Sequence, residues 1–213
     1  MKVLITGFEP FGGEDVNPSW AAARLVAAAP PAGLDVTAVR LSCVYGRAIE
    51  ELRAAVSATD PALVVCTGQA GGRSGLSVER VAVNVDDARL PDNAGNQPVD
   101  EPIVPDGPVA YLSRLPVKAC VAAAREAGVP AHVSGTAGNF LCNHVFYGLA
   151  HLIATERPSL RGGFVHVPYA PEQVTDRFEP SMSVADIARG IGAIVATAAS
   201  TTDDLRVPEG ATH

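Results

Sequence analysis

Residues 1–200 of this sequence predict a single three-layer α/β/α domain, with helices on both faces of a mostly parallel, twisted sheet. Three observations lead there: an apolar content suited to one core, short apolar strand patterns that alternate with helical ones, and a closing helix with one clean apolar face. With 213 residues, 47% of them hydrophobic and 18% charged, the chain can fill one sizeable core but is short for two.

The elements follow in chain order. Residues 3–6, 34–41, 63–66, 78–85, 131–134 and 163–167 are short apolar or alternating runs bounded by Gly, Pro or Asp, and read as strands. Between them, residues 20–29, the set Ile49, Leu52 and Val56, residues 117–127, and the run from Asn143 to Ile153 place apolar side chains at helical spacing. In the last helix Ile187, Ile191, Ile194 and Val195 share a face, and Ser183 followed by Asp186 forms an N-terminal cap. Residues 90–116 break the alternation: Pro91, Pro98, Pro102, Pro105, Pro108 and Pro116 exclude a regular helix and allow edge strands at most. That segment is expected to run over the surface, as a functional excursion, a subunit contact or an ordered loop with no task. Residues 201–213 are expected to form a flexible C-terminal tail, and no internal repeat is present.

Composition removes several function classes. A net charge of -7 with no cluster of Lys or Arg argues against nucleic acid as partner. No apolar run approaches the ~18 residues of a membrane span, and the N-terminal run is too short for a signal segment, so a cytoplasmic protein is expected. Cys43, Cys66, Cys120 and Cys142 are widely spaced, which suggests reduced thiols rather than a disulfide framework, and no metal site.

Cys142 stands out by position. It follows a Gly-containing connection and opens a helical pattern, so the free N–H groups and positive dipole end of a helix would stabilise a thiolate and could bind an oxyanion. The plainer alternative is a small buried hydrophobe, which is how Cys66 reads within its apolar strand. Acyl transfer by a thiol needs a base, and His166, near the end of a strand halted by Pro168, is better placed than His144 or His151, which follow Cys142 on its own helix. A core histidine is the competing reading. Glu79 shares an apolar strand face with Val81, Val83 and Val85 under period-2 alternation, so its carboxylate needs a partner: the imidazole, or an arginine such as Arg80 or Arg89. The Gly68 to Gly75 connection lacks the Lys-Ser/Thr ending of a phosphate loop, and Ser74 lacks the spacing of a serine hydrolase elbow.

Several motifs carry a resemblance: Gly7 to Gly13 with Asn17 to Trp20, Gly68 to Arg73, Glu79 to Ala82, Asp87 to Asn93, Cys142-Asn143-His144 and His166-Val167-Pro168-Tyr169. In order and spacing the chain resembles the pyroglutamyl peptidase I family, also called pyrrolidone carboxyl peptidases, up to about residue 200. The resemblance implies a cysteine exopeptidase that hydrolyses the bond after an N-terminal pyroglutamyl residue through a thioester, with Glu79, Cys142 and His166 as its triad. It also implies that Phe8 and Phe11 wall the lactam ring, that Arg89 helps form the oxyanion site, and that Gln69, Phe140 and Leu141 lie around the pocket. The implied fold is similar to that of nucleoside phosphorylases, the implied assembly a tetramer, the partners peptide substrates, and no cofactor is implied. A phosphate-using nucleoside transferase and a non-catalytic binder of capped peptides are the rival readings.

Overall fold

The structure, a computed structural model, describes residues 1–210. Its elements in order are β1 (Lys2–Phe8), α1 (Pro18–Ala28), β2 (Asp35–Leu41), α2 (Arg47–Thr59), β3 (Leu63–Gln69), β4 (Leu76–Glu79), β5 (Val81–Val83), β6 (Ala110–Leu112), α3 (Val117–Glu126), β7 (Ala131–Ser134), α4 (Leu141–Thr155), β8 (Arg161–Val167) and α5 (Val184–Ser200). Six strands form the main sheet in the order β2-β1-β3-β8-β4-β7, while β5 and β6 pair in a small sheet of their own. The ladders β2-β1, β1-β3, β3-β8 and β4-β7 are parallel, and only β4 against β8 is antiparallel, so the sheet is mixed but mostly parallel.

Strand alternation divides the core in two. Val3, Ile5, Leu63, Val65, Leu76 and Val78 face the helices α1, α3 and α5, whereas Leu4, Val64, Cys66 and Phe164 face α2 and α4. A strand buried on both faces must be apolar in both registers, which is why Leu63–Cys66 of β3 is apolar at every position. Gly7 lets α1 lie directly on β1, since a Cβ there would sit 2.5 Å from the Trp20 backbone. The α5 cap forms as expected: the Ser183 hydroxyl accepts from Asp186 N–H at 3.1 Å, and Ile187, Ile191, Ile194 and Val195 are fully buried.

The predicted strand over residues 78–85 is corrected. The chain breaks at Arg80, whose N–H donates to Ser134 and whose carbonyl accepts from Ser113, so β4 stays in the main sheet and β5 leaves it to pair with β6. Glu79 therefore does not share a strand face with Val81; it is buried because β4 lies between β8 and β7 with every residue covered. Within residues 90–116 the regular structure is β6, antiparallel to β5, and the Asn84 side chain pins the excursion by bonding both the N–H and the carbonyl of Val104. Residues 201–210 carry no helix or strand; the Asp204 carboxylate accepts from the N–H groups of Lys118 and Ala119, at the start of α3. Residues 211–213 of the expected tail lie outside the described residues.

Candidate active site

The face of the sheet that packs on α4 also carries the polar residues of interest. Gly68 on β3 pairs with His166 on β8, and Ser77 on β4 pairs with His166 from the other side. Two residues beyond Ser77, the fully buried Glu79 places Oε1 2.7 Å from His166 Nδ1. Cys142 is the second residue of α4, whose N-cap, Phe140, offers no side-chain acceptor, leaving the N–H groups of the first turn without a capping side chain. A Cβ on Gly68 would fall 2.6 Å from Cys142 Sγ and 2.8 Å from the Phe164 ring, so the bare backbone of Gly68 is the floor on which the sulfur rests. The thiol thus lies over the β3 residue that is paired with His166, on a neighbouring strand about 4.8 Å away.

Burial acts on both groups. It pushes the Cys142 thiol up to about 12, with the Glu79 charge adding to the effect and Arg73 opposing it. Burial likewise holds His166 below the ordinary histidine value, against the hydrogen bond and charge of Glu79. Burial therefore acts against the thiolate that a helix N-terminus favours, and it holds the imidazole towards its neutral form. Nδ1 is the ring nitrogen that faces the carboxylate; when it donates its proton there, Nε2 is the basic nitrogen of the ring.

The arginine that pairs with Glu79 is Arg73 rather than Arg80 or Arg89. Its Nη1 lies 2.7 Å from Glu79 Oε1, and its Nη2 donates to the Thr136 carbonyl at 3.2 Å, in the connection between β7 and α4. Sequence reading did not single out Arg73 as a site residue; the available signal was an arginine in the turn directly ahead of a strand with a buried carboxylate. Tyr45 was also missed, and its ring stands edge-on to both Phe140, 5.7 Å between centroids, and His144, at 5.1 Å. His144 is a satisfied neighbour, with Nδ1 2.7 Å from Asp86 and Nε2 accepting from Gly46 N–H.

The expected pocket residues are distributed unevenly. The Phe11 and Phe140 rings stand 5.9 Å apart, beside the start of α4. Phe8 and Leu141 are buried in the cluster under α4. The Gln69 side chain lies on the opposite sheet face from Gly68, where its Oε1 accepts from Gln173 at 2.9 Å. Its backbone is a different matter: Ala70 N–H bonds to Val167 on β8, so the groups of Gln69 project towards β1, beyond Thr6 and Cys66 where the β1-β3 ladder ends. Arg89 is exposed, and its guanidinium makes no hydrogen bond among the described residues.

Comparison with known proteins covers nearly the whole chain. The sequence model described as pyroglutamyl peptidase matches residues 1–201. The pyrrolidone-carboxylate peptidase of Streptomyces coelicolor is 67% identical over 100% of this chain and 99% of its own. That of Erwinia tasmaniensis is 51% identical over the same shares. Among solved structures, pyroglutamyl peptidase I from Bacillus amyloliquefaciens superposes with a TM-score of 0.94 at 45% identity, covering 96% of this chain and 99% of that one. The pyrrolidone carboxyl peptidase of Thermococcus litoralis gives 0.93 at 39% identity, over 97% and 99%.

Proposed function

This chain belongs to the pyroglutamyl peptidase family, and from that premise we propose how its residues carry out the reaction. It is a cysteine-type hydrolase that removes an N-terminal pyroglutamyl residue from peptides. The observation that carries the assignment of roles is the 2.7 Å contact between Glu79 and His166, on the sheet face where Cys142 rests on Gly68.

Cys142 Sγ forms a bond to the pyroglutamyl carbonyl carbon while its proton passes to Nε2 of His166. Glu79 accepts from Nδ1–H throughout and stabilises the imidazolium that results. The oxyanion meets the uncapped N–H groups at the start of α4, each such donor contributing about 3 to 4 kcal/mol in a preorganised site, with Arg89 as an additional donor. Collapse breaks the amide bond, the imidazolium protonates the departing amine, and the thioester remains. Water then gives a proton to Nε2 and attacks the thioester; pyroglutamate leaves and the proton returns to sulfur.

The lactam is neutral and flat, and Phe8, Phe11, Phe140 and Leu141 provide its apolar surroundings. The unpaired β3 edge at Gln69 supports hydrogen bonding of the lactam N–H and C=O by backbone rather than by the side chain, which Gln173 already engages.

Assembly as a tetramer in the cytoplasm completes the proposal. Exposed Val99, Val109 and Leu112 on the proline-rich excursion support subunit contacts. The four free thiols support a reducing compartment, and no described helix is long and apolar enough to cross a membrane.

Iodoacetamide titration during turnover of a pyroglutamyl arylamide tests the assignment. Activity is expected to fall in proportion to alkylation of Cys142, with pyroglutamate protecting; full alkylation of Cys142 with activity intact would overturn it.

A further inference from the structure

We propose that Arg73 is a positioning residue: it fixes the Glu79 carboxylate against Nδ1 of His166 and ties it to the loop that delivers Cys142, and thereby holds His166 in the tautomer whose Nε2 is basic. The inference rests on the triad reading above and adds a fourth residue to it.

Glu79 is fully buried, and its two oxygens are unequally served. Oε1 meets both His166 Nδ1 and Arg73 Nη1 at 2.7 Å, while Oε2 has no partner among the described residues. A carboxylate so placed persists as an anion only beside a compensating charge. The groups around it are His166 on β8, Cys142 on α4, His132 on β7 and the Ser134 hydroxyl, to which Arg73 Nη1 also reaches at 3.5 Å. Of these neighbours, Arg73 alone is permanently positive.

The charge decides a proton position. An ionised Glu79 can only accept, so Nδ1 must donate and Nε2 is left with its lone pair. A protonated Glu79 would donate to Nδ1, the ring proton would move to Nε2, and the nitrogen needed to take the thiol proton would be blocked. The second arm of Arg73 acts mechanically. Donating to Thr136 in the connection that leads into α4, it couples the acid and the nucleophile, which are otherwise on separate elements. A guanidinium can make both contacts from one rigid plane; an ammonium supplies the charge without the fork.

The test compares Arg73→Gln and Arg73→Lys, alone and combined with Glu79→Gln, with Cys142→Ala as reference, by pH profiles on a pyroglutamyl arylamide. Arg73→Gln is expected to lower kcat by about 10²-fold at neutral pH, with KM changed by less than about 2-fold, and to move the acid limb of kcat to higher pH, because the Arg73 charge is one of the influences that lower His166. Arg73→Lys should keep the wild-type acid limb while losing part of kcat. On the Glu79→Gln background Arg73→Gln should add less than about 3-fold, because no carboxylate remains to hold. An unshifted acid limb in Arg73→Gln, or the same loss on both backgrounds, would overturn the inference. If Arg73→Gln does not fold, Arg73→Lys decides, a displaced acid limb there counting against it. Turnover by Cys142→Ala would instead overturn the triad reading itself, whereas an inactive Cys142→Ala beside a wild-type-like Arg73→Gln would remove this inference alone.

Discussion

Glu79 Oε1 lies 2.7 Å from Nδ1 of His166, a buried contact made diagonally between two strands that run in opposite directions. Glu79 is fully buried and His166 nearly so, and the carboxylate acts on the imidazole with little screening. Glu79→Gln preserves shape and one acceptor but removes the charge that stabilises the imidazolium. We expect kcat to fall by about 10²-fold or more with a small change in KM. An unchanged kcat would reduce Glu79 to a structural partner of Arg73.

The pH profile of the wild-type enzyme follows from the direction in which burial moves His166. Activity needs His166 unprotonated, and burial holds its titration below the ordinary value of about 6.5, so kcat/KM should climb with pH and level off before pH 7. The thiol, pushed up to about 12, imposes no alkaline limb in the working range. In Glu79→Gln the imidazole loses the partner that raises it, and the acid limb should move to lower pH, opposite to the shift expected for Arg73→Gln. An acid limb near pH 8 in the wild type would contradict a His166 held below its ordinary value.

Gly68→Ala tests the floor of the site. The added methyl would meet Cys142 Sγ at 2.6 Å and the Phe164 ring at 2.8 Å, so sulfur or ring must shift. Overpacking of this kind costs about 1–3 kcal/mol of stability. We expect a lower Tm together with at least about a 10-fold loss in kcat, since the displaced atom is the nucleophile. A lower Tm with full activity would show that the ring yields instead.

The layers, the order of helices and strands, and the α5 cap were legible because each follows from local periodicity and capping chemistry. Cys142 was legible as the opening of a helix, His166 from its place near a strand end, and Glu79 as a carboxylate in apolar surroundings that needs a partner. The break at Arg80 was not, because period-2 alternation continues across it while the chain passes from one sheet to another. Arg73 escaped because ion pairing between a turn and a strand has no spacing rule. The desolvation acting on Cys142 was not legible either, because burial is a tertiary property.

Selectivity should separate pyroglutamyl from prolyl substrates, whose rings have the same size. The prolyl ammonium would be desolvated among Phe8, Phe11 and Phe140 without a carboxylate partner, and the backbone groups of Gln69 would go unmatched. Sites built to bond a missing group reject its analogue by up to about 10⁴-fold, so kcat/KM for a prolyl arylamide should be lower by at least about 10³-fold. Phe11→Ala should raise KM for the pyroglutamyl substrate without admitting proline. Comparable kcat/KM for the two rings would contradict this account of the pocket.

The central claim is that Cys142 is the nucleophile, and its most direct test is the kcat of Cys142→Ala under reducing conditions, with the fold checked by circular dichroism. A small residue in the first turn of α4 should leave the fold intact, so turnover is expected to vanish while Cys43→Ala, Cys66→Ala and Cys120→Ala, all at buried positions, lose stability rather than chemistry. A folded Cys142→Ala that retains near wild-type kcat would contradict the account.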